Sequence, residues 1–72
     1  MNAPEKLDHE AVLRVKLAVL QREHRDLDEA ILAMAERATT DQLALKRLKK
    51  RKLALKDQIA RIEDELTPDI IA

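Results

Sequence analysis

Apolar side chains recur along this chain at alternating spacings of three and four. In the first half the series is Leu13, Leu17, Leu20, His24, Leu27, Ile31 and Met34; in the second it is Leu45, Leu48, Lys52, Leu55, Ile59, Ile62 and Leu66. This alternation is the heptad seam of packed helices, and each series carries one polar residue in its middle. Pro4 and Pro68 bracket the two series, and no Pro or Gly interrupts them. The weak point is ATTD, Ala38 to Asp41, with two β-branched threonines. There Thr39 and Gln42 read as a capping box, and Asp41 suits the positive end of a helix dipole. The pattern predicts a single all-α domain, with helix 1 at about 4–38, a turn at about 39–40, helix 2 at about 41–66 and a short C-terminal tail, 67–72. So short a break folds the second helix back on the first as an antiparallel, coiled-coil-like hairpin.

Folding back at Thr39 and Thr40 also sets a register. Met34 meets Leu45, Ile31 meets Leu48, Leu27 meets Lys52, His24 meets Leu55, Leu20 meets Ile59, Leu17 meets Ile62 and Leu13 meets Leu66; the numbers of every pair add to 79. On the flanks the same alignment places Arg14 opposite Glu63, Lys16 opposite Glu65 and Asp28 opposite Lys49, all of opposite charge. Exposed pairs are worth only a few tenths of a kcal/mol, roughly, so they select the alignment more than they strengthen it. The apolar layers supply the strength, at roughly 1.5 to 3 kcal/mol per fully buried side chain before entropy is subtracted.

A hairpin covers one stripe per helix. Helix 1 has a second stripe, Val12, Val15 and Val19 with Ala11 and Ala18 beside them, and Leu32 and Leu53 also lie off the seam. Three readings apply to this face: scattered surface apolars, pairing of two hairpins into a dimeric four-helix bundle, or docking of a different protein. The second is favoured, because 72 residues bury little surface and small domains need a disulfide, a metal or self-association. The chain has no Cys, which removes the first aid and the thiolate metal sites.

The absence of Gly and of aromatic residues, with an excess of Ala, Leu, Lys, Arg and Glu, fits long helices and no sheet. Fourteen basic and fourteen acidic residues cancel, so no global field drives attachment to nucleic acid or an anionic membrane. The charge is uneven, however. LKRLKKRKLALKDQI, Leu45 to Ile59, holds seven Lys or Arg in fifteen positions. Lys46, Arg47, Lys49, Lys50, Arg51 and Lys56 fall on non-seam positions there, so the run reads first as the solvated face of a packed helix. The alternative is a face that contacts nucleic-acid phosphates, although no aromatic residue is present to stack on bases.

His24 and Lys52 occupy adjacent seam layers. They read either as a pH-sensitive or ligand-binding polar spot, or, preferably, as register-setting residues with the Lys52 ammonium reaching out to Asp28 or Glu29. His9 and His24 are about four turns apart and no metal constellation forms. Without Cys, Ser, Tyr or a Gly-rich loop, no catalytic residue, cofactor or small-molecule substrate is expected. The polar start MNAPEKLDHE is unlike a secretory signal, and the longest apolar run, AVLRVKLAVL, is short and broken by Arg14 and Lys16, so no membrane span and a cytoplasmic location are expected.

EHRDLDEAI, Glu23 to Ile31, followed by LKRLKKRKLALKDQI and the ending ARIEDELTPDIIA, resembles the YdcH-like family of small bacterial proteins, a domain of unknown function. The resemblance covers roughly residues 13–72, and the pairing of His24-x-x-Leu27 with LKKRKLALKD is its most specific part. It implies a short antiparallel helical hairpin in the cytosol, with no activity, cofactor or catalytic residue to carry over. The expectation from the residues is a non-enzymatic interaction or adaptor protein that self-associates; the competing reading is a nucleic-acid-associated protein acting through the basic face.

Overall fold

The computed structural model describes the backbone of residues 2–67 and the side chains of residues 8–67. It contains two helices, α1 (Asn2–Ala35, 34 residues) and α2 (Gln42–Leu66, 25 residues), packed against each other as a hairpin, with no strand among the described residues. The expected tail from residue 68 onward, with Pro68, lies outside the described residues. At about 1.5 Å per residue α1 is about 51 Å long and α2 about 38 Å. α1 therefore runs past the far end of α2, and the radius of gyration is 16.6 Å where a compact chain of this length has about 11 Å.

Helix α1 begins at Asn2 and passes through Pro4, earlier than the Pro4 start expected from sequence. Proline is tolerated in a first turn because the amide it lacks has no intrahelical partner there. The other end differs by more. α1 stops at Ala35, not near Ala38, and the connection spans residues 36–41. Two groups account for this. The Thr40 hydroxyl turns back to the end of α1, where it donates to the carbonyl of Arg37 at 3.1 Å and reaches that of Met34. Asp41, not Thr39, is the N-cap of α2: its Oδ1 accepts from the amides of Leu43 at 3.0 Å and Ala44 at 3.2 Å. A carboxylate at the cap satisfies two orphan amides and adds negative charge at the positive end of the dipole, so it displaces the capping box expected from Thr39 and Gln42. At the far end the Thr67 amide and hydroxyl both donate to the Glu63 carbonyl, at 3.0 and 2.7 Å.

The core is one seam thick. Leu13, Ile31, Leu45 and Leu55 are its buried members, and Leu55, the best covered of them, keeps 5% of its surface exposed. The accessible surface is 6210 Å², against about 4600 Å² for a compact monomer of this mass. Two helices alone cannot enclose each other, and Val12, Val15, Val19, Leu32, Leu43 and Leu53 stay more than half exposed.

Candidate functional site

All fourteen seam positions are buried or half-buried, whereas Val12, Val15, Val19, Leu32 and Leu53 stand exposed. Clefts between the helices bring together Leu20 with Ile62, Leu17 with Leu66, and His24 with Lys52 and Ile59, neighbours three or four residues along from the facing pairs expected from sequence. The heptad spacing brings the two polar seam residues to one stretch of the hairpin, half-buried and open to solvent on one side.

Lys52 solves the problem of a cation in an apolar seam by leaving it. Its stem packs between the helices, and its Nζ donates to Asp28 Oδ1 at 2.5 Å. That hydrogen bond, and then the charge of Lys52, hold the Asp28 carboxyl below its usual value near 3.8, against a smaller opposing effect of desolvation. Of the two carboxylates the sequence offered Lys52, Asp28 and Glu29, it is Asp28 that takes the ammonium, and the expected flank pairing of Asp28 with Lys49 does not form. A partner for Lys49 is dispensable because Lys49 is exposed and hydrated; a partner for a half-buried ammonium is worth more, and Asp28 goes to it.

The remaining flank pairs also differ from those expected. Glu65 meets His9 at 3.2 Å and not Lys16. Residues seven apart share a flank, so Glu65 lies within reach of both and closes on one. Arg14 and Glu63 line one cleft without forming an ion pair. The sequence reading missed Glu23, which sits on the His9 flank and pairs with Arg51 at 3.6 Å. Its signal was available, since 9 with 65 and 23 with 51 share one offset along the hairpin. All these pairs are well exposed, which is why charge patterning alone did not decide among them.

The basic run lies on the outside of α2. Lys46, Arg47, Lys49, Lys50, Arg51 and Lys56 are all exposed, and of these six only Arg51 has an ion-pair partner among the described residues. Leu53, 65% exposed, is set among them, and Leu43, 58% exposed, is a further outward apolar residue that the sequence reading passed over.

The second stripe of α1 forms one wall of a groove of about 640 Å³. Ala11, Val12, Val15 and Val19 line it from α1 with the half-buried Leu20, and Ile62 closes it from α2, while Lys16, Gln58 and Arg61 edge it. The groove is apolar at its floor and cationic at its rim. Among the described residues no group of three or more His, Cys, Asp or Glu side chains is placed to hold a metal ion, and no helix is long and apolar enough to cross a membrane.

A family model described as a protein of unknown function, DUF465, matches residues 17–63. The chain belongs to DUF465. YdcH-like proteins are part of this same family, an uncharacterised group of small helical proteins. No curated protein and no solved structure matches the chain. The DUF465 match runs from Leu17 in α1 to Glu63 in α2, so it contains the turn, the Asp28 and Lys52 pair and the whole basic run. Val12 and Val15 lie before it. The DUF465 portion is therefore the hairpin itself, and the outer valine stripe straddles its edge.

Proposed function

We propose that this DUF465 protein is a non-enzymatic helical interaction module of the bacterial cytoplasm, an adaptor whose working form is a dimer of hairpins in a four-helix bundle. The observation that carries this is surface. The chain exposes 6210 Å², roughly 1600 Å² more than a compact monomer of its mass, and a standard protein interface removes about 800 Å² from each partner. The excess is enough for such an interface. It includes Val12, Val15 and Val19, each more than half exposed, on one stripe of one helix. Scattered surface valines are ordinary, but three on one stripe beside a groove form a patch. The test is sedimentation equilibrium. The expected mass is twice 8.3 kDa, and Val15→Glu is expected to lower it while leaving helicity mostly intact. A wild-type mass of one chain at every concentration would remove self-association from this reading.

A second reading rests on a separate observation, the five exposed cations of the run that lack ion-pair partners among the described residues. Such a face suits phosphates, and the absence of aromatics restricts it to backbone contacts without base selection. Fluorescence anisotropy with labelled duplex DNA and RNA at about 50 and 200 mM salt separates the two readings, because phosphate binding weakens steeply over that range. Binding that collapses at the higher salt would put the basic face first; no binding at the lower salt would leave it a solvated helix surface.

A further inference from the structure

We infer that the outer stripe of α1 binds the same stripe of a second copy, antiparallel and centred on Val15, so that Asp8 of each chain lies beside Arg22 of the other. This rests on the self-association proposed above and gives it a geometry.

Asp8, Val15 and Arg22 are seven residues apart, so they share one line along the outside of α1, with the two charges each about 10.5 Å from the valine. All three are exposed. Between them stand only small or apolar neighbours on that face, Ala11, Val12, Ala18 and Val19. From one end to the other the line reads acid, apolar, base. A twofold rotation about Val15 that reverses the helix direction sets acid on base at both ends and valine on valine at the centre. A parallel arrangement sets Asp8 on Asp8 and Arg22 on Arg22. The stripe is thus complementary to itself in one direction only, as an isologous interface requires.

Two further observations point the same way. Among the described residues neither Asp8 nor Arg22 has an ion-pair partner in its own chain, although His9 and Glu23, each next to one of them in sequence, are paired across the hairpin with Glu65 and Arg51. The groove beside the stripe has room for the edge of another helix, and a second α1 laid along it also covers Leu20 and Ile62. The outer face of α2 is a poor rival. Leu53 stands among Lys49, Lys50, Lys56 and Asp57, and an antiparallel self-contact there sets Lys50 on Lys56, with Asp57, the acid that would meet Lys49, already paired with Arg61 in its own chain.

The chain has no cysteine, so a single introduced thiol reports one position. In the full chain the Val15→Cys variant is expected to cross-link to itself with a short bis-maleimide, and the Leu53→Cys variant is not. Asp8→Arg is expected to weaken dimerisation about fivefold to tenfold, the scale of two exposed ion pairs turned repulsive. Asp8→Arg combined with Arg22→Asp is expected to return it to within about twofold of the wild type. A dimeric wild type whose affinity ignores both charge changes, or which cross-links through position 53 and not 15, overturns this geometry and leaves self-association standing. A monomeric wild type overturns both, and capture of a different protein by the Val15 face would then give that face another occupant.

Discussion

The ammonium of Lys52, rooted in the seam of α2, sits 2.5 Å from Asp28 Oδ1 on α1. The pair links the helices at a layer where the seam itself is weakest, and it makes stability depend on acid. The hydrogen bond and charge of Lys52 lower the Asp28 pKa in the folded chain, so folding favours the carboxylate. Its contribution is fully present above the unfolded value near 3.8 and disappears as pH falls through the lower folded value. Urea unfolding followed by circular dichroism is expected to find Asp28→Asn less stable than the wild type at pH 7, with the difference shrinking below about pH 4. An equal difference at both pH values would mean that the ion pair does not supply it.

The two leucines that flank this region from opposite sides of α2 are expected to behave differently. Leu55 is 5% exposed and Leu53 is 65% exposed. Leu55→Ala is expected to cost about 2 to 3 kcal/mol, enough to lose most of the helical signal of so thin a core, whereas Leu53→Ala stays within about 0.5 kcal/mol. Thermal melts at 222 nm check both. Similar costs for the two would mean that Leu53 is covered as well as Leu55, and a larger cost at Leu53 would reverse the orientation of α2.

Asp41→Ala is expected to destabilise the hairpin by about 1 kcal/mol through loss of its two amide contacts, while Thr39→Ala, away from the cap, leaves stability unchanged to within about 0.5 kcal/mol. Chemical denaturation of the two variants separates them. A larger loss at Thr39 would restore the earlier helix start that the sequence suggested.

His24 sits half-buried in the cleft with Ile59, in the seam layer assigned to Leu55. His24→Leu is expected to raise stability by about 1 kcal/mol, since it adds apolar contact where an imidazole now lies beside solvent. A decrease in the melting temperature would mean that the imidazole is held by a contact worth more than that burial.

How much of this was legible in the sequence follows from the kind of force at each point. The hairpin was legible because an apolar stripe on each of two helices, joined by a few residues, is covered most simply when each helix covers the other. The turn was legible to within three residues, because Thr39, Thr40 and Asp41 are all capping residue types and only their backbone geometry decides which one caps which helix. Asp28 had two cations within reach and goes to the half-buried Lys52, not the exposed Lys49, a difference in burial that no charge pattern records. His9 and Lys16 are both exposed, and charge alone did not decide which of them Glu65 meets. The valine stripe was visible as a stripe, but its end charges acquire meaning only once α2 is seen to occupy the opposite side.

The turn closed by Thr40 and Asp41 also bears on how the molecule forms. Leu45 follows Met34 by eleven residues, whereas Leu66 follows Leu13 by fifty-three. Closing the longer loop from an open chain costs about 1.4 kcal/mol more in entropy than closing the shorter. Loop entropy therefore favours forming the layers next to the capped connection before the distant ones, since each layer formed shortens the loop that the next must close. Its contacts near the turn are local, which places it among rapidly folding topologies. The start of α1, beyond Leu13, lies farthest from the turn, and its cross-hairpin ion pair, His9 with Glu65, closes the longest loop of any pair described.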